Sequence, residues 1–449
     1  MSNLGSWLAR TLGRTEGRPP DIPTAFKAEQ YLLHDLRVEM QNDVAVIIPP
    51  LNHRVVTLKL TLAPERATLR TAQRELERAI VKLERSFQPT PGGLGITVAW
   101  GLGYFHRFVA GPAAHYLPVD NRASAAAGET RLAVLDAIKF PSDPEDVVLE
   151  DNDVAVLLRS DVVANIDAGS KALFESGLGF WEPTSIRHGF IGAGVPKRLA
   201  TEAGVPGADK IPDAAQMFLG FTSSQKAALG GDLIANFEAI PGLTDQWPNG
   251  YFRFGSTMHL AHIREDLEAW YARDFQARVD RSFRPGLAVK PGTLTVNEGP
   301  SQVETQSEVA SDLERHRIVG HSASLQPVTR LPSDLTDNYG NFYPSGTAVP
   351  QRADFNTLDD PFHWTADPAR DRWSERPSPG LHFVVFVPTS DAFHRARRAM
   401  DGHYPDGTVL DIDPRSPDQG MNSVLRTTHR QNFLVPPRRH RAFPLAELV

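Results

Sequence analysis

Arg187 to Pro196 reads R-H-G-F-I-G-A-G-V-P, a glycine-rich loop in mid-chain with the outline of a cofactor pocket and no carboxylate inside it. Its meaning depends on what flanks it. Upstream, Val56, Leu58, Leu60 and Leu62 alternate with Val55, Thr57, Lys59 and Thr61, the period-two pattern of a half-buried strand. Leu69, Leu76, Ile80, Leu83 and Phe87 then recur every three or four residues, which predicts a helix with one apolar stripe. Pro64 suits its first turn, and Pro89 with Pro91-Gly92-Gly93 stops it. Ile96 to Leu102 and Val154 to Leu158 read as strands, and Val162 to Phe174 as a helix. With long insertions, this is the β-α-β-β-α-β order of one ferredoxin-like module, spanning residues 28–196. Residues 1–27, broken at Pro19-Pro20, read as a polar arm.

Downstream, the polar stretch 197–213 reads as a linker, and the pattern then recurs over 214–449. Met217 to Phe221 and Tyr251 to Ile263 read as strands, and Leu267 to Phe283 as a helix with Trp270 and Tyr271 on its apolar face. Gly286 to Glu314 is polar and reads as a surface excursion. Leu381, Phe383, Val385 and Val387 form a closing strand. Ser390 is placed to cap a helix to Met400, with Gly402 as its stop. The fold class is α+β, two ferredoxin-like modules whose sheets face each other.

Composition narrows the chemistry. The 449 residues exceed the size at which a single core stops growing. Net charge is -7 and the basic residues form no stripe, so nucleic acid is excluded as an expected partner. No run approaches the roughly 20 apolar residues of a bilayer span, and the first residues hold no apolar core of a secretion signal, so no membrane association and a cytoplasmic location are expected. The absence of cysteine removes disulfides, thiolate metal sites and cysteine nucleophiles together. Only nine of the 47 basic residues are Lys, which directs attention to His and Arg.

Fifteen histidines invite a metal site, but spacing argues against a local one. His259 and His262 fall in an alternating segment and should point to opposite faces. Gly101-Leu102-Gly103 has His106 where a dinucleotide loop needs glycine, and reads as a strand-end turn. Gly320-His321-Ser322-Ala323-Ser324 approximates a nucleophile elbow, yet Ser324 replaces its last glycine and Pro327 interrupts the helix that should follow. His321 itself is flanked by small residues, and Arg352 follows an apolar run about thirty residues later. A neutral imidazole on one side of a cavity and a guanidinium on the other is the pairing that binds a haem iron and stabilises charge as an O–O bond breaks. A capped loop histidine and a surface ion-paired arginine are the plain alternative.

From about Leu51 onward these features resemble the dye-decolorizing peroxidase superfamily. The carrying residues are the Gly189-Phe190-Ile191-Gly192-Ala193 loop, Asp266-Leu267-Glu268-Ala269-Trp270 opening a helix, His321, the Arg352-Ala353-Asp354-Phe355 run, Gly380-Leu381-His382-Phe383 and the tail Asn432-Phe433-Leu434-Val435-Pro436-Pro437. The resemblance implies two modules packed as a dimeric α/β barrel-like unit, haem b as cofactor, peroxide and a small or aromatic reductant as partners, and a homo-oligomer. It implies His321 as axial ligand, Arg352 on the distal side, and Gly189, Phe190 and Gly192 as pocket loop. Where the family loop carries an aspartate that helps deprotonate peroxide, this chain has Gly192. Arg352 alone, a water, His188 or Glu182 would have to replace it. His316 and His259 compete with His321 as ligand, and Trp270 or Tyr251 would relay electrons. Two other readings stand beside this one: a noncatalytic barrel that has lost haem, and an oxidoreductase with a non-haem metal held by His259, His321 and His382.

Overall fold

Strand β1 (Asn52–Leu60) turns Val56, Leu58 and Leu60 to one side and Val55 to the other. The first set packs under helix α1 (Arg66–Ser86), whose Leu69, Leu76, Ile80 and Leu83 join the same buried cluster. Each such Leu or Ile contributes roughly 1.5–3 kcal/mol on burial. Pro64 lies outside α1 rather than in its first turn, because Glu65 is the extended N-cap. The computed structural model describes residues 27–175, 177–222, 233–297, 304–359, 377–416 and 419–449; the expected polar arm, save its last residue, lies outside them.

Strands β2 (Gly95–Trp100) and β3 (Val154–Ser160), helix α2 (Val163–Ser170) and strand β4 (Trp181–Phe190) complete the first module. Its strands are antiparallel in the order β4-β1-β3-β2. The second module contains β5 (Ser256–Glu265), the short β6 (Gln351–Arg352) and β7 (Phe355–Thr357), β8 (Gly380–Val387) and β9 (Leu425–Val435). Here the antiparallel order is β7-β8-β5-β9, so its four main strands repeat the arrangement of the first module read from the opposite edge. The two sheets meet at both edges, through Leu434 opposite Trp100 and Asn356 opposite Phe190, and the pairings close into a ring. Val55, Leu157, Leu260, Val384 and Phe433 fill its interior.

Several elements differ from the sequence expectation. Met217 to Phe221 is not a strand. Its backbone is satisfied by side chains instead: Asn356 Oδ1 accepts from Phe218 N at 3.1 Å, Tyr271 OH donates to Phe218 O at 2.7 Å, and Trp270 Nε1 donates to Leu219 O at 2.9 Å. Gly220, at φ +88°, adds a turn no strand accommodates. Tyr251 to Phe254 is turn, and β5 begins only at Ser256. The helix expected over Leu267 to Phe283 is two, α4 (Leu267–Tyr271) and α5 (Phe275–Ser282), because Asp274 caps the second by accepting from Ala277 N at 2.8 Å. The surface excursion ends in α6 (Gln306–His316), opened by a reciprocal Thr305–Glu308 capping box. Over the expected linker, helix α3 (Val195–Glu202) continues into buried Val205, Ala208 and Ile211, which share a cluster with Leu267 and Trp270. Thr389, not Ser390, is the N-cap of helix α8 (Ser390–Met400), and Gly402 at φ +80° follows its end.

Candidate functional site

Along β5 the outward register is His259, Ala261, Ile263 and Glu265, and along β8 it is Leu381, Phe383, Val385 and Val387. Helices α7 (His321–Thr329) and α8 roof this face, leaving a largely apolar cavity of about 180 Å³. The start of α7 depends on Gly320: a Cβ there would stand 2.2 Å from Phe283 O and 2.7 Å from Arg284 Cα. Only glycine lets this helix dock on the end of α5, and the docking sets His321, its first residue, at the cavity wall.

His321 and Arg352 therefore line one cavity, together with His259. Burial, reinforced by the positive charges of Arg352 and Arg397, lowers His321 to about 3, so its imidazole is neutral. Arg352 ends β6 opposite Val385 and donates to Asp354 through Nε and Nη2. His259 stacks on Phe393 at 3.6 Å. Asn432 donates through Nδ2 to Leu135 O at 2.9 Å, which turns its Oδ1 toward His259 Nδ1 at 2.7 Å and makes that nitrogen the donor. Burial, with the Arg430 charge next, depresses His259 strongly. Arg430 and Arg397 reach the same cavity and share Asp143 behind it.

Other expected site residues lie elsewhere. His188 is half-exposed, and its ring faces Asp359 at 3.7 Å. Gly189 sits at the seam between modules, where a Cβ would be 2.1 Å from Asn356 O, and Phe190 packs edge-on against Phe218 at 5.8 Å. Gly192 has φ +127°, and a Cβ on it would meet Leu51 Cδ2 at 2.8 Å. Of the loop, Ile191 comes nearest the cavity, packed with Met217 and Leu381. Glu182 lies at the far end of β4, opposite Lys59. His316 is exposed at the end of α6. His382 points into the ring, its imidazole 5.0 Å from that of His262, so the triad His259, His321 and His382 is not assembled. Among the described residues no group of three or more His, Cys, Asp or Glu could hold a metal. Ser322 is buried within α7, its Oγ accepting from Gln326 Nε2 at 3.2 Å. Trp270 is core, and Tyr251 stacks on His440 at 3.9 Å. The sequence reading missed Glu265 and Asp354, although the β5 alternation that separates His259 from His262 also puts Glu265, six residues along, on the same face as His259.

A profile described as a family of unknown function, DUF7405, matches residues 50–437. The chain belongs to DUF7405. No curated protein matches it. Among solved structures, the DUF7405 chain is similar to the DyP-type peroxidase from Cellulomonas bogoriensis, at 17% identity over 87% of this chain and 90% of that one, with a TM-score of 0.51. Ferric DtpA from Streptomyces lividans gives 16% identity over 87% and 90%, with a TM-score of 0.49. The encapsulated DyP-type peroxidase from Mycobacterium smegmatis gives 12% over 88% and 96%, also at 0.49. The Cellulomonas likeness establishes a DyP-like α+β fold for the DUF7405 chain. Among its described residues no helix is long and apolar enough to cross a membrane.

The residues around the cavity suit a haem in donor chemistry. A neutral imidazole, an apolar wall and the guanidinium groups of Arg352, Arg397 and Arg430 line the cavity together. The volume of about 180 Å³ is below the roughly 300–1,000 Å³ of ligand pockets, so a macrocycle requires the wall side chains Met217, Met400 and Met421 to move.

Proposed function

We propose that this protein is a haem-dependent, peroxidase-like oxidoreductase in which His321 would hold the haem iron. The observation that carries the reading is the neutral, cavity-lining imidazole of His321 sharing an apolar space with the guanidinium of Arg352. A bound haem would supply an iron centre that exchanges electrons with peroxide and with a small or aromatic reductant. The chain's own contribution is to exclude water with the Leu381, Phe383 and Leu325 wall, to present His321 Nδ1 or Nε2 unprotonated, and to hold developing negative charge beside Arg352. The loop at Gly192 contains no carboxylate for this work. His259 is the competing ligand, its Nε2 buried and without a hydrogen bond.

Haemin titration of the purified protein tests the reading. A Soret band that forms in the wild type and in His259→Ala but not in His321→Ala supports it; a wild type that stays colourless overturns it. The small volume favours one second reading, a barrel that binds a compact apolar molecule and carries out no redox chemistry. Binding of such a probe with no haemin uptake would select it.

A further inference from the structure

Helix α1 carries Arg70, Arg74, Arg78 and Lys82 at four-residue steps, with Arg85 near its end. They lie away from the buried stripe of Leu69, Leu76, Ile80 and Leu83, and the segment after β9 runs beside them, leaving an open groove of about 810 Å³ to which it adds Arg439. Gln73 and Arg441 fasten that segment to the helix: Gln73 Nε2 donates to Phe443 O at 3.1 Å, and Arg441 Nη2 donates to Glu77 at 2.9 Å. The two carboxylates of the groove are thereby engaged, Glu77 by Arg441 and Glu447 by Gln73 Nε2 at 2.9 Å and the Tyr251 hydroxyl. None of the six cations has such a partner. Arg74 donates to Thr71 Oγ1, Arg78 to Arg74 O and Arg439 to Tyr251 O, and among the described residues no carboxylate pairs with any of the six.

Such a row is unfavourable for the helix that carries it. Cations four residues apart repel one another, and the first turn, where acidic side chains are favoured, holds Arg66 and no carboxylate. The expectation that the basic residues form no stripe is corrected here: four-residue spacing scatters them along the chain, and the helix gathers them. In a chain of net charge -7 this is a local positive surface.

We propose that the groove binds an extended acidic segment of a partner protein, with Asp or Glu side chains on alternate residues meeting the α1 cations. Four helical residues rise about 6.0 Å, and alternate residues of an extended chain are about 6.6–6.8 Å apart, so about seven residues of such a segment match the row from Arg70 to Lys82. Each guanidinium fork can take a carboxylate at two points. Nucleic acid suits the groove less. Its one lining ring, His440, is already stacked on Tyr251 at 3.9 Å, and Glu77 and Glu447 interrupt a phosphate track. A lipid surface would need apolar side chains to insert, and the apolar lining here is Val81 and Ala442. The groove is separate from the cavity under α7 and α8, so this inference stands or falls without the haem reading.

Fluorescence anisotropy of the full chain with a labelled peptide of about seven residues, alternating Asp and Ser, tests the proposal. The peptide should bind at low salt and weaken as salt is raised, and the same peptide with Asn in place of Asp should not bind. Combining Arg74→Gln with Arg78→Gln should weaken binding about 10-fold. Both positions are exposed and their removal relieves like-charge repulsion, so the thermal midpoint of this variant should not fall below that of the wild type. No binding of the Asp peptide, wild-type affinity in the double variant, or tighter binding of a thymidine oligonucleotide or of phosphatidylserine vesicles overturns the proposal.

Discussion

Arg352 holds Asp354 in a two-point grip, Nε to Oδ1 at 2.9 Å and Nη2 to Oδ2 at 2.6 Å, with the Asp354 side chain fully buried. The charge of Asp354 raises the Arg352 guanidinium and fixes its plane at the cavity edge, whereas burial acts in the opposite sense. Removing one partner of a buried pair costs about 3–5 kcal/mol, because the other charge stays behind. Asp354→Ala should therefore lose stability of that order in urea unfolding. Arg352→Lys keeps a charge but not the fork, and should retain less than half of the pair's coupling energy in a double-mutant cycle.

The glycine loop should resist repair. At φ +127°, Gly192 lies where an L side chain is strained by roughly 1–3 kcal/mol, and its Cβ would press on Leu51 rather than enter the cavity. Gly192→Asp is expected to lower the thermal midpoint while leaving any peroxide-dependent rate no higher than in the wild type. Gly189→Ala should be worse, since its Cβ would fall 2.1 Å from Asn356 O at the seam of the ring. A gain of activity in Gly192→Asp would show that the loop reaches the cavity after all.

The contrast between these two glycines shows how far the sequence was legible. Periodicity located β1, α1, β3 and β8, because each has one face on a large cluster and the hydrophobic pattern records that burial directly, whereas α8 was legible from the turn before it and the Gly402 stop after it. The same alternation separated His259 from His262. It failed at Met217 to Phe221, where apolar residues are buried around a backbone satisfied by Tyr271, Trp270 and Asn356, an arrangement with no period. The glycine loop was legible as a marker of the fold, but its glycines are demanded by the module seam and a positive-φ turn, and Ile191 packs behind the cavity-lining Met217 and Leu381 rather than lining the cavity itself. Glu265 escaped notice because a carboxylate at a strand end has the sequence appearance of a solvated residue. Only β9, α4 and the Asp354 segment, which close around that strand end, make it buried.

Buried histidines should dominate the acid limb of stability. His53 and His321 fall from 6.5 to about 3 and His394 to about 4, mainly through burial. Each stays neutral in the folded chain while the unfolded chain takes up a proton below about 6.5, so stability is lost as pH falls through that value and is level above it. The slope contributed by each group approaches about 1.4 kcal/mol per pH unit. Urea midpoints measured at about pH 5 and about pH 7 should differ accordingly, and His53→Gln should reduce the difference. Equal midpoints in the wild type would mean that these imidazoles are charged in the fold.

Glu265 acts in the opposite sense, and this separates it from the histidines without any cofactor. Its folded value of about 8 lies above the ordinary 4.5, so between the two the folded chain holds a proton that the unfolded chain releases. The stabilisation linked to that proton is complete below about 4.5 and lost as pH rises toward 8. Full burial sets an upper bound of about 5 kcal/mol on the loss. Glutamine keeps the shape and never ionises, so E265Q should match the wild type at about pH 5 and exceed it by a few kcal/mol at about pH 9. The histidines are common to both proteins and cancel from the difference. Denaturant unfolding across this range reads the effect, and a wild-type minus E265Q difference that does not change with pH would place the Glu265 carboxyl back in its ordinary range.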